Sequence, residues 1–223
     1  MGYYPILVDL TGKRAVVVGG GGVGERKIET LLTHGAKVCV VSMELTPNLK
    51  RYMEGGVITY LGSEFRKEQL DGAFIVIAAT DDPSLNYAVS ASAQEKGILV
   101  NVVDQPRDCT FIVPSILKRG DLIIAVSTSG KSPAMAKKIR EDLEKHFGRE
   151  YGSFLTLLGR LREEVLKKGL SQEENQILFE RLVNSPILAM IKKKEWHRVA
   201  LLVTETLHQA VSQERILEVL KAE

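Results

Sequence analysis

The stretch Ala15 Val16 Val17 Val18 Gly19 Gly20 Gly21 Gly22 Val23 Gly24 decides the fold of this chain. Its four consecutive apolar residues fit a strand buried on both faces, and the glycines that follow lead straight into a segment of helical character. With Gly19, Gly21 and Gly24 as fixed positions the stretch reads G-x-G-x-x-G. In that spacing the first glycine permits a tight turn, the second lets a pyrophosphate approach the backbone, and the third lets the helix pack closely. Phosphate oxygens would then lie against the positive end of the helix. The stretch predicts nucleotide binding, against the plainer reading of a glycine turn that holds no ligand.

The pattern repeats outward from this point. Residues 14–18 form the first expected strand and 24–34 a helix ending before Gly35. Further strands are expected at Lys37–Val41, at Val57–Tyr60 after the Gly55 Gly56 turn, at Phe74–Ala79 and at Ile98–Val103, with a helix over 84–96 closed by Gly97. Short apolar runs alternating with helical patterns predict an α/β fold with a mainly parallel, doubly wound sheet through about residue 112. Asp121–Val126 reads as one more strand, and Ser132 and Pro133 suit the cap and first position of a helix running to about His146 and stopped by Gly148. From about residue 151 the chain reads as helical. Ser171 and Glu174 have capping-box spacing, Ile177, Leu178 and Leu182 suggest a packed face, Trp196 fits a helical packing role, and a last helix is expected near Ser212. This tail suits docking or dimerisation better than an enzyme of its own.

Composition narrows the classes. A chain of 223 residues can bury a full core, and Lys plus Arg at 30 against Asp plus Glu at 28 gives +2, which argues against a nucleic-acid partner. Neither an apolar run of about 20 residues nor a secretory leader is legible, so no membrane partner and a cytoplasmic location are expected. Cys39 and Cys109 make no disulfide framework, and His34, His146, His197 and His208 form no compact ligand motif, so no metal site is expected.

The ends of the strands carry the candidate chemistry. In a dinucleotide site the tip of the second strand approaches the adenine ribose, and here it offers Ser42, with Glu44 the first acid and no basic residue at the tip to pair a 2′-phosphate. Thr80, in Ala78 Ala79 Thr80 Asp81 Asp82, falls where its hydroxyl could meet a cofactor, although Asp81, Asp82 and Pro83 equally suit a turn that caps the next helix. Asn86 lies in that helix's first turn, near the nicotinamide end or in an ordinary polar role. Asn101 Val102 Val103 Asp104 ends a second crevice-facing strand, where Asp104 could act on a proton or on charged nitrogens, or could be a solvated turn residue. The connection Ser127 Thr128 Ser129 Gly130 Lys131 Ser132 Pro133 suits carboxylate binding, or a self-capped polar loop; without a glycine at position 125 it is no triphosphate loop.

Taken in order, Val16–Lys27, Ala78–Asp82, Asn101–Asp104, Phe111 Ile112 Val113 Pro114 Ser115 and Ser127–Ala134 resemble the precorrin-2 dehydrogenase and sirohydrochlorin ferrochelatase module of the sirohaem synthase family, over about residues 5–147. The resemblance implies a Rossmann domain over 1–112, a small α/β dimerisation and substrate-cleft segment over 113–148, and a helical region over 149–223. It implies NAD-dependent oxidation of precorrin-2 to sirohydrochlorin by an interlocked homodimer, with ferrous iron as the substrate of a further chelatase step. Gly19, Gly21, Gly22, Val23 and Gly24 would line the pyrophosphate, Ser42 would lie near the adenosine, and Thr80 and Asn86 towards the cofactor cleft. Asp104 matches the carboxylate important for dehydrogenation. Asn101, Ser127, Thr128, Ser129 and Lys131 would face the tetrapyrrole. The last fingerprint position is Gly24 where alanine is frequent. A different class of reading, an NAD-responsive sensor or assembly protein, would bind the dinucleotide without tetrapyrrole chemistry.

Overall fold

In the computed structural model, residues 2–167, 169–208 and 213–221 are described. The chain divides into two compact units, the first ending at Val113 and the second beginning at Pro114. Val113 apart, the segments expected at 113–148 and 149–223 fall in the second unit.

The first unit is built on β1 (Arg14–Val18), β2 (Lys37–Val41), β3 (Thr59–Tyr60), β4 (Ile75–Ala78) and β5 (Leu99–Val102). These pair in the order β3-β2-β1-β4-β5, every pair parallel. Three α-helices join them: α1 (Gly22–Thr33), α2 (Pro47–Glu54) and α3 (Pro83–Glu95). The two-residue period of β1 sorts its side chains between the faces. Val16 and Val18 pack with Val76, Val100, Val102 and, from α3, Val89 and Ala93. Ala15 and Val17 pack with Ile75, Ile77 and, from α1 and α2, Ile28, Leu31 and Leu49. Both faces of the sheet are therefore covered, and the strand order reverses between β1 and β4, the position at which folds of this type take ligands beyond the strands' carboxyl ends.

Most of the expected elements are present with trimmed ends. Helix α1 starts at Gly22 instead of residue 24 because Gly21 is its N-cap. Asp82 caps α3, accepting from the Ser84 and Leu85 N–H groups at 2.8 and 3.3 Å. The expected strand at Val57–Tyr60 shortens to Thr59–Tyr60. Helix α2 was not legible from apolar period because it buries only Leu49, although Thr46 caps it and Pro47 opens it.

The second unit begins with an antiparallel hairpin of β6 (Ser115–Arg119) and β7 (Leu122–Val126), packed by α4 (Pro133–His146). Strand β6 was not expected; Leu117 is its only fully buried residue, so it carries little apolar signal. Ser132 caps α4 through the Met135 N–H at 3.2 Å. Among the described residues five further helices follow: α5 (Glu150–Leu166), α6 (Gln172–Val183), α7 (Ile187–Lys192), α8 (Trp196–Leu207) and α9 (Gln213–Lys221). Leu157, Leu161, Val165, Leu182, Val199 and Val203 form much of their core, with Trp196 partly buried against it. Both halves of the Ser171 and Glu174 capping box are made. The packed face expected around Ile177 needs correction: Leu182 is buried, Leu178 half-buried and Ile177 52% exposed. Leu178 and Leu182 are one helical turn apart, whereas Ile177 and Leu182, five residues apart, diverge by about 140°. The expected start of the last helix at Ser212 lies outside the described residues. Among the described residues no helix is long and apolar enough to cross a membrane.

Candidate dinucleotide site

The turn between β1 and α1 is fixed by contacts that exclude side chains. Gly19 has φ +115°, a conformation L side chains rarely adopt, and a Cβ there would overlap the Ala79 carbonyl oxygen. A Cβ on Gly24 would overlap the Gly19 carbonyl, and one on Gly20 would sit 2.6 Å from the Glu44 carbonyl oxygen. Gly21 and Gly22 are different: a Cβ at either would meet nothing within 4 Å. The three fixed glycines thus divide their work as the spacing predicted, with Gly19 and Gly24 serving backbone packing and Gly21 facing open space. Gly20, an unfixed position of the motif, is crowded as Gly19 and Gly24 are.

The open space lies at the start of α1. Its N-cap, Gly21, offers no side-chain acceptor, and among the described residues no protein acceptor takes the Gly22, Val23 or Gly24 N–H. These first-turn donors, with the positive end of the helix, suit a phosphate anion. The one acid of that turn, Glu25, is turned aside: its carboxylate accepts from Asn48 Nδ2 at 2.9 Å. Hydrogen bonds from Thr46 and Asn48 hold its pKa below the ordinary value. The residues present fit a bound dinucleotide pyrophosphate.

Other expected contacts are partly committed within the protein. Ser42 Oγ accepts from the Gly20 N–H at 2.9 Å and donates to the Glu44 carbonyl at 2.6 Å, clasping the glycine loop to the tip of β2. The Thr80 hydroxyl lies 2.8 Å from Asn86 Oδ1 and accepts from the Asp82 N–H at 3.2 Å. The structure brings Thr80 and Asn86 together, but with Asn86 only 3% exposed.

Asp104 follows β5 on a turn, with φ +60° and an exposed side chain. Among the described residues its carboxylate makes no hydrogen bond or ion pair. A non-glycine residue held in the left-handed region stores strain of the order of 1 kcal/mol or more, and such residues cluster at functional sites. Sequence reasoning missed what holds this turn. The free edge of β5 is covered by side chains: Thr110 Oγ1 accepts from the Val100 N–H at 2.8 Å, and Cys109 Sγ accepts from the Val102 N–H at 3.1 Å. Burial pushes the Cys109 thiol above its ordinary pKa, so it serves as a neutral staple. Asn101 Nδ2 donates to the Phe111 carbonyl at 3.1 Å and so ties the same segment down. Only a residue pairing known in advance would have revealed this from sequence.

The Ser127–Pro133 connection closes on itself. Ser127 Oγ accepts from the Ser129 N–H at 3.1 Å, and Thr128 Oγ1 accepts from the Ser132 N–H at 3.0 Å. Ser129 has φ +53° and Lys131 is exposed. Among the described residues there is no group of His, Cys, Asp and Glu able to hold a metal ion.

Comparison with known proteins agrees with this geometry. A family of NAD(P)-binding domains matches residues 6–115, and the family described as sirohaem biosynthesis protein, central, matches residues 119–146. Siroheme synthase of Photorhabdus laumondii is 39% identical over 191 residues, 86% of this chain and 41% of the relative. Siroheme synthase 1 of Serratia proteamaculans is 43% identical over 168 residues, 75% of this chain and 35% of the relative. That of Methylobacillus flagellatus is 43% identical over 176 residues, 79% and 38% of the two chains. The chain thus spans about two-fifths of the length of these relatives. The solved structure of "SirC, precorrin-2 dehydrogenase" superposes with a TM-score of 0.70 at 24% identity, over 99% of this chain and 100% of that one, and shows a shared fold.

Proposed function

We propose that this chain, which belongs by homology with the siroheme synthases, is an NAD-dependent dehydrogenase that oxidises precorrin-2 to sirohydrochlorin. The observation that carries the reading is a pair of features at the carboxyl edge of one parallel sheet. After β1 stands a helix start whose N–H donors have no acceptor among the described residues, and after β5 stands Asp104, held at φ +60° and with no carboxylate partner among the described residues. Those strands are two positions apart in the sheet order, about 10 Å by ordinary spacing.

When bound, NAD would accept a hydride from a reduced carbon of the macrocycle. The chain's own part is placement and proton handling. The N–H groups of Gly22, Val23 and Gly24 hold the pyrophosphate, with Gly19 and Gly21 shaping the turn. Ser42 stands at the adenosine end and the Thr80 turn at the nicotinamide end. Fixing donor and acceptor within reacting distance supplies much of the rate in such reactions. Asp104 takes the ring proton lost on oxidation or orients the pyrrolic N–H groups, and its lack of a partner among the described residues suits either task. Asn101 supports the Asp104 strand. In the second unit, the Ser127–Lys131 loop offers a carboxylate the exposed charge of Lys131 and the exposed Ser129, while the Ser127 and Thr128 hydroxyls accept hydrogen bonds within the loop.

Ferrous iron insertion into sirohydrochlorin is the further step of this reading. The metal is a substrate whose four ligands are the macrocycle's nitrogens; two pyrrolic protons leave, and Asp104, which is exposed, takes each in turn and passes it to solvent before accepting the next. A homodimer completes the reading, supported by the exposed Ile116 and Ile123 on the hairpin and Met135 and Ile139 one turn apart on α4. Sedimentation of the intact chain reads its assembly.

The test is anaerobic conversion of precorrin-2 with NAD, followed spectroscopically. Asp104→Asn is the sharper variant, since asparagine tolerates the left-handed conformation whereas Asp104→Ala adds backbone strain. General acid–base groups contribute about 10²–10⁴-fold, so turnover should fall by about 100-fold with the unfolding midpoint unchanged. Wild-type rates in Asp104→Asn would remove the carboxylate from the chemistry. Absence of sirohydrochlorin formation by the parent protein would defeat the substrate assignment, and ferrous iron added to sirohydrochlorin without NAD tests chelation separately.

A further inference from the structure

We infer that Asn86 is a positioning residue that fixes the floor of the glycine loop by way of Thr80, without itself touching the dinucleotide; the ligand consequence rests on the dinucleotide reading above. Asn86 is 3% exposed in the first turn of α3. Its amide closes on a single residue. Oδ1 accepts from the Thr80 N–H at 3.2 Å and from the Thr80 hydroxyl at 2.8 Å, and Nδ2 donates to the Thr80 carbonyl at 2.9 Å. Both backbone polar groups and the hydroxyl of Thr80 are thus served by one buried side chain.

Helix capping does not account for this arrangement, because Asp82 already takes the Ser84 and Leu85 N–H groups. What lies beyond Thr80 does. The Ala79 carbonyl occupies the place a Cβ on Gly19 would need, with the Thr80 nitrogen 3.1 Å from the same point. The Gly19 carbonyl in turn occupies the place a Cβ on Gly24 would need. Asn86, the Ala79–Thr80 turn, Gly19 and Gly24 therefore form one continuous stack, and close-packed stacks transmit a displacement instead of absorbing it. Releasing Thr80 frees the Ala79 carbonyl to shift, and the donors at the start of α1 lose their fixed aim.

Amide hydrogen exchange of the ligand-free full chain reads the loop directly, and NAD titration by calorimetry reads its consequence. Asn86→Leu keeps the volume and removes every polar contact. Exchange at the Gly19 and Gly20 amides, which are held by the Val41 carbonyl and Ser42 Oγ, should rise about tenfold while peptides of α6 and α8 stay unchanged, and NAD affinity should fall about tenfold. Asn86→Asp is the rescue: burial at this position raises the pKa of the new carboxyl above the ordinary carboxylate range, its neutral acid can donate to the Thr80 carbonyl and its carboxylate cannot. The loop should be protected at pH 5 and opened by pH 9, with the parent protein, which shares Asp81 and Asp82 on the same turn, as baseline. Unchanged loop exchange in Asn86→Leu overturns the inference, as does a loop equally open in both variants at pH 5, or an opening spread evenly through α6 and α8. Failure of the parent protein to bind NAD would defeat the dinucleotide reading alone, since exchange still decides the role of Asn86.

Discussion

Two connections from strand to helix, Gly19–Gly24 in the first unit and Ser127–Pro133 in the second, are made of opposite materials. The first has no side chain to spend on the helix it opens: Gly21 caps α1 without an acceptor. The second spends its hydroxyls on itself, with Ser132 capping α4 and Thr128 taking the Ser132 N–H. A turn of glycines held by backbone crowding leaves helix N–H donors for a ligand, whereas a turn of hydroxyls satisfies them internally. Polarity alone would have ranked the two loops the other way.

The largest expected break in this contrast is Gly24→Ala. The new methyl would overlap the Gly19 carbonyl, a backbone atom with little room to move, and overpacking of this kind costs about 3 kcal/mol. The unfolding midpoint should drop by several degrees and NAD binding should be lost; an unchanged midpoint would show that the α1 contact has slack. Gly21→Ala sharpens the same point from the other side. Its Cβ meets nothing in the protein, so stability should change by less than about 1 kcal/mol at this N-cap. Calorimetry should nevertheless find NAD binding about tenfold weaker, equivalent to about 1.4 kcal/mol. Equal affinity would place the dinucleotide away from this turn.

In the hydroxyl loop, Ser132→Ala removes a cap worth about 1 kcal/mol. For a chain of this size that lowers the midpoint by roughly 2–4 °C in a thermal scan; no shift would mean that water replaces the serine. The smallest effect belongs further along α4. Lys145 and Lys138 hold the Asp142 carboxyl down from 3.8 to about 2. As pH falls the unfolded chain takes up its proton first. The contribution is therefore fully present above the ordinary carboxylate range and lost as pH drops through 3.8 towards 2. The cluster is solvent-exposed and salt-screened. Asp142→Asn should thus differ slightly from the parent protein at neutral pH in low salt, and the difference should vanish near pH 2 or in high salt.

Sequence made the sheet legible because a parallel strand covered on both faces reads as a near-continuous apolar run, as β1 does from Ala15 to Val18. Helix α2 and strand β6 escaped because each buries a single residue fully, so neither has an apolar period to read. The candidate site divides along similar lines. Gly19, Gly21 and Gly24 announce themselves by spacing, and Asp104 by its place after a strand. The inward turn of Ser42, Thr80 and Asn86 carries no such mark, because a polar residue at a strand tip reads alike whether its hydrogen bonds go to a ligand or to the neighbouring loop.

By itself the sequence determined the alternation of strands and helices in the first unit, the place of the glycine turn and the caps of α3, α4 and α6, since each depends on periodicity or on residues a few positions apart. Only the tertiary structure decided the strand order, that Gly20 is crowded as well, that Asn86 serves Thr80, and that Cys109 and Thr110 close the edge beside Asp104. Those facts depend on atoms from separate strands meeting within hydrogen-bond or van der Waals distance, and no local pattern along the chain encodes which atoms will meet.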